Sequence, residues 1–134
     1  MNRAELAQSL FERIEQSVRV EPVTNPGWHG EPNKCHENVE RWIAQHPTDQ
    51  AIRGYLVTTA NEVGALFDLH SVVQREDGSM VDVTPLPYSC SFIKLDLTDD
   101  QFEMCRKHLN QIPYSIGDGS DFWSIPMTDS RGQF

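Results

Sequence analysis

Two strand-like runs on either side of Arg75-Glu76-Asp77-Gly78 constrain this chain more than any other feature. A turn ending in glycine between runs rich in β-branched and apolar residues, 65–74 and 79–84, predicts an antiparallel hairpin with a glycine bulge. Alternation along the first strand puts Leu66, Asp68, His70 and Val72 on one face, and Phe67, Leu69, Ser71 and Val73 on the other. Both faces carry apolar residues, so the strand bearing His70 is largely covered. If paired residue numbers sum to an even value, His70 and Asp82 share a face; an odd register separates them. The turn suggests a sum near 154, which sets the two diagonally across the hairpin.

The other elements follow from period and punctuation. From Ala4 to Val18 the apolar positions Leu6, Leu10, Phe11, Ile14 and Val18 recur at steps of three to four, predicting an amphipathic helix within residues 1–20. Pro22, Asn25, Pro26, Gly27, Gly30 and Pro32 then make a loop. A second helix is expected from Asn33 or Lys34, with Asn33 as cap, until Pro47 closes it. Its apolar face runs through Cys35, Val39, Trp42, Ile43 and His46. Ile52 to Thr59 reads as a strand with Gly54 inside it, and Cys90 to Leu95 as another. Thr98 with Gln101 forms a capping box ahead of a third helix with Phe102, Cys105 and Leu109 on one side. Tyr114, Ile116, Phe122, Trp123 and Ile125 suffice for a last strand or ordered loop. The 134 residues therefore predict one α+β domain, helices packed on an antiparallel β-sheet, in three stretches: 1–20, 33–85 and 86–134.

Composition narrows the function classes. A formal charge of −9 and the lack of a basic run with interleaved aromatics argue against nucleic acid as a partner. No stretch approaches the roughly 20 apolar residues of a membrane span, and the N-terminus does not read as a secretory signal. Cys35, Cys90 and Cys105 are odd in number and form no CxxC pair, so free thiols in a reducing, cytoplasmic setting are expected.

Cys35 is set apart from the other two because it opens a helix behind a Gly- and Pro-rich loop. Free N–H groups and the helix dipole there favour the thiolate, the form that attacks a carbonyl carbon. Such a nucleophile needs a base, and the base needs a group that fixes its ring, which His70 and Asp82 supply if the hairpin register is even. The Cys35 N–H is one natural oxyanion donor. Asn33, Trp28, His29 and Asn25 are the candidates for the second.

The run from Cys35 through Ile52-Arg53-Gly54-Tyr55, Leu69-His70-Ser71-Val72, Gly78 and Val81-Asp82-Val83-Thr84-Pro85 resembles the transglutaminase-like branch of papain-fold enzymes. Cys35-His36-Glu37-Asn38 is also similar to the Cys-x-x-Asn of arylamine N-acetyltransferases, which share the triad order. The resemblance covers Pro32 to Pro85. It implies a papain- or transglutaminase-like core in which Cys35 is the nucleophile, His70 the base and acid, and Asp82 the residue that orients it. It implies hydrolysis of an amide, peptide or isopeptide bond, or transfer to an amine, on an amide- or thioester-containing substrate such as a protein or peptide. Asn33 and Val72 stand where the family commonly has glycine and an aromatic residue, which bears on substrate class more than on the triad.

Two other readings compete. His29, Cys35, His36 and His70 are zinc ligand types, but Cys35 and His36 adjoin on a helix and no HxxxH or CxxC spacing supports them, so no metal or cofactor is expected. His36 and His46 read as solvent or core-edge residues. The third reading is a noncatalytic binding or inhibitor domain that retains the fold.

Overall fold

In the computed structural model, residues 2–116 are described; Phe122, Trp123 and Ile125 lie outside them. The elements in chain order are α1 (Arg3–Glu12), a 3-10 turn (Ile14–Gln16), β1 (Val18–Arg19), β2 (Glu21–Pro22), α2 (Cys35–Gln45), β3 (Gln50–Asn61), β4 (Gly64–Gln74), β5 (Met80–Asp82), β6 (Ser91–Leu95), α3 (Asp99–His108) and β7 (Gln111–Ser115). The fold is α+β, with the strands in one sheet of order β1-β6-β3-β4-β5-β2 and β7 alongside β4. The sheet is mixed and not purely antiparallel, because β2 runs parallel to β5.

The long β3–β4 hairpin is the frame. Its register pairs Gly54 with His70 and Arg53 with Ser71, with a bulge between Val57 and Thr59. Pleating sends Tyr55, Phe67 and Leu69 to one face, where they meet Leu6 and Leu10 of α1 and Phe102, Cys105 and Leu109 of α3 in the main core. On this side α2 buries Val39 and Trp42 against Val73 and Val83. The opposite face gathers Ile52, Leu56, Val72 and Phe92, capped by Val20, Met80 and Cys90. Both α1 and α3 begin with capping boxes, Asn2 with Glu5 and Thr98 with Gln101. Each cap is worth about 1 kcal/mol, whereas each buried leucine contributes about 1.5–3 kcal/mol, so packing and not capping holds these helices.

The N-terminal helix is shorter than its periodicity predicts. It stops at Glu12, and Ile14 reaches the core from the 3-10 turn. Val18 belongs to β1 instead, opposite Phe92 of β6. Two residues later Glu21 and Pro22 pair with Val81 and Asp82 of β5. The five residues 18–22 therefore join both margins of the sheet and curl it nearly shut.

β4 changes neighbours along one edge. Gly64 to Asp68 pair with β7, and Val73 and Gln74 pair with Val81 and Met80 of β5. Between these ladders no strand of the described residues lies beside it, and the Leu69 N–H is taken up by the Asn110 carbonyl. Tight turn geometry at Arg75–Ser79, with Gly78 at φ +92°, sets the even register of β4 and β5.

Gly54 has a separate reason to be glycine. A Cβ there would collide with the Ile93 carbonyl oxygen and stand 2.8 Å from the Phe92 ring, which lies edge-on to His70. Gly54→Ala is expected to lower stability by about 1–3 kcal/mol, the range for overpacking, read as a lower urea midpoint.

Candidate active site

The loop before Cys35 is pinned from several sides. Trp28 Nε1 donates to the Val83 carbonyl at 2.8 Å, and Gly30 packs so closely on that carbonyl that no side chain fits. Asn38, buried on α2, donates to the Glu31 carbonyl and to Thr84 Oγ1 and accepts from the Glu31 N–H. Arg41 holds the His29 carbonyl at 2.7 Å.

The chain then passes through Asn33 at φ +65° and enters α2 at Cys35. Asparagine tolerates this left-handed conformation better than most residues. Asn33 is thus the bend before the helix and not its cap. The capping residue is Lys34, whose side chain makes no capping bond, so the first N–H groups of α2 have no side-chain acceptor there.

His70 is 3% exposed and Asp82 5% exposed. His70 Nε2 donates to Asp82 Oδ2 at 2.7 Å, which leaves Nδ1 as the nitrogen to meet the sulfur. The other carboxylate oxygen accepts the Thr84 N–H at 3.0 Å. Burial alone would lower the pKa of His70, but hydrogen bonds with Asp82 and Cys35 and their negative charge raise it to about 9. Burial likewise works to raise that of Cys35, and hydrogen bonds with His36 and His70 together with positive charge on the imidazoles bring it down to about 6. Both shifts favour the thiolate–imidazolium form of the pair. By contrast, burial pushes the Cys105 thiol up to about 11 and raises Cys90.

Cys35 and His70 open onto a cleft of about 920 Å3, rimmed by Pro85 to Tyr88 and with Asp68 on the strand side. Leu86 and Tyr88 are exposed on this rim. Cys90 lines the same cleft, and only Cys105 is a fully buried core thiol.

Of the four candidates for a second oxyanion donor, the structure brings one to the cleft. Asn33 lines it. Trp28 Nε1 is committed to Val83, Asn25 Oδ1 accepts from Arg75, and His29 does not border the cleft.

Sequence reasoning missed a second network. His36, expected at the surface or core edge, is buried, with Nδ1 2.6 Å from Ser71 Oγ and 3.7 Å from Cys35 Sγ. Arg53 donates to the same hydroxyl at 2.7 Å. The register of β3 on β4 could have signalled the Arg53–Ser71 pair, but nothing in the sequence ties it to a helix. His46 stacks on Trp42 away from the site. Among the described residues no group of three or more His, Cys, Asp or Glu side chains is placed to hold a metal ion. No protein-family model matches the chain, and no curated protein or solved structure does either.

His70→Ala is expected to move the inflection of iodoacetamide labelling at Cys35 from near 6 up toward the ordinary thiol value of about 8.5. Labelling rates across pH, with Cys35 identified by peptide mapping, measure it.

Proposed function

We propose that this chain catalyses cysteine-dependent acyl transfer with Cys35, His70 and Asp82, on a papain- or transglutaminase-like core. The observation that carries this reading is the buried His70–Asp82 pair meeting a thiol of lowered pKa where a helix begins at an open cleft. Structural cysteines have no need of such a setting.

In the mechanism the Cys35 thiolate attacks the carbonyl carbon of an amide or thioester, and the carbonyl π pair moves to oxygen. The Cys35 N–H at the start of α2 and the Asn33 side-chain amide at the cleft wall are the donors for that oxyanion. As the tetrahedral intermediate collapses, the bond to the leaving group breaks and His70 gives its Nδ1 proton to the departing amine or thiolate. A thioester on Cys35 and a neutral His70 remain. His70 next takes a proton from water or an amine as it attacks the thioester, and thiolate leaves. Water gives hydrolysis, and an amine gives transfer. Asp82 holds the ring and stabilises its positive charge throughout.

The wide cleft and the exposed Leu86 and Tyr88 suit an acyl group presented on a peptide or protein. The three unpaired thiols fit a reducing, cytoplasmic setting. Among the described residues no helix is long and apolar enough to cross a membrane.

p-Nitrophenyl acetate tests the reaction class. The native protein is expected to release nitrophenolate and to carry one acetyl group on Cys35, detected by intact mass and removed by hydroxylamine. Cys35→Ala should form no adduct, and Asp82→Asn should slow acylation by a factor on the order of 100 or more. Native protein that stays unacetylated at Cys35 would sink the proposal.

A further inference from the structure

Cys35 and His36 are neighbours at the start of α2, and they meet two neighbours on β4 that point to opposite faces of the sheet. Cys35 shares its cleft with His70, whose ring lowers the thiol pKa, whereas His36 reaches Ser71. Two imidazoles therefore bear on the sulfur, His70 of β4 and His36 of α2, with His36 Nδ1 at 3.7 Å. The ring of His36 is only 8% exposed and packs edge-on against Phe102 with centroids 5.0 Å apart.

Arg53 stands behind this ring, directly across from Ser71 in the β3–β4 register. Its guanidinium lies 4.0 Å from the centre of the Phe102 ring and donates to Ser71 Oγ. Arginine can only donate, so the hydroxyl gives Arg53 one lone pair and keeps its second lone pair and its hydrogen for His36. It can accept from a protonated Nδ1 or donate to a bare one. Both contacts of the ring use Nδ1, so only the tautomer with the proton there can serve Ser71 Oγ at 2.6 Å and the sulfur at 3.7 Å together.

We propose that His36 is a positioning residue for Cys35, its single Nδ1–H shared between Ser71 Oγ and, as a longer second branch, the thiolate, with Ser71 and Arg53 holding the ring in place. The proposal rests on the acyl-transfer reading and divides its labour. His70 supplies charge and moves protons, while His36 supplies a directed donor and moves none.

The test is the pH profile of iodoacetamide alkylation at Cys35 in folded wild type, His36→Ala, His36→Asn and His70→Ala. The asparagine amide places an uncharged N–H donor about where Nδ1 stands. His36→Ala is expected to raise the inflection by about one pH unit and His36→Asn to restore the wild-type profile. An unchanged profile in His36→Ala, beside a shifted one in His70→Ala, overturns the proposal and leaves the acyl-transfer reading standing. So does failure of His36→Asn to restore the profile in a protein with the wild-type urea midpoint, because the role would then be one of charge. A wild-type inflection at the ordinary thiol value overturns the acyl-transfer reading itself. If His36→Ala does not fold, Ser71→Ala keeps the ring and removes the hydroxyl that competes for its Nδ1–H, so the inflection is expected to move down, and an unchanged profile overturns the proposal.

Discussion

The short stretch of β4 with no strand beside it among the described residues, between its pairing with β7 and its pairing with β5, is the constraint on which the site depends. Had either neighbour run on along this edge, the start of α2 could not approach it. With the edge open, a helix terminus docks there, and residues 35 and 36 reach side chains on both faces of one strand. A sheet normally keeps its two faces apart, because successive side chains point opposite ways. Here the gap makes that alternation useful, since one helix turn can engage His70 and Ser71 together.

Burying Asp82 would be costly without partners, for a carboxylate loses several kcal/mol of hydration on leaving water. Both of its oxygens are hydrogen-bonded, one by His70 and one by the Thr84 N–H. Thr84 is in turn held by Asn38 of α2, which also ties down Glu31 in the loop before the cysteine. The carboxylate, the histidine and the loop before Cys35 thus share one set of hydrogen bonds. A shift in any of them is transmitted to the others through bonds of about 3 Å rather than through soft packing.

Much of this was legible in the sequence because it is local. The glycine at 78 and the alternation from Ala65 to Gln74 were enough to anticipate the register that sets His70 diagonal to Asp82. The capping box at Thr98 and the stop before Pro47 were read from neighbouring residues alone. Features that depend on distant partners were not legible. Strands of two residues, such as Val18–Arg19 and Glu21–Pro22, carry no periodicity of their own, so Val18 was absorbed into the preceding helix. Asn33 has the right residue type for a helix cap, but the pinned loop places it in the left-handed region instead. His36 looked peripheral because its partners, Ser71 and Arg53, come from two strands further along the chain.

The segment 18–22, which joins both margins of the sheet, also bears on how the chain reaches this state. Its partners, β5 and β6, lie some sixty to seventy residues downstream. The β3–β4 hairpin joins neighbouring parts of the chain, whereas this clasp closes very long loops, whose entropic cost must be met before any contact offsets it. Assembly from the hairpin outward, with the N-terminal clasp engaging late, is the order this connectivity favours. Because β5 carries Asp82 and is paired by the clasp, the strand bearing the carboxylate gains its second neighbour only when the two ends of the sheet meet. The hairpin sets His70 against Asp82, and closure of the fold encloses the strand that carries the carboxylate.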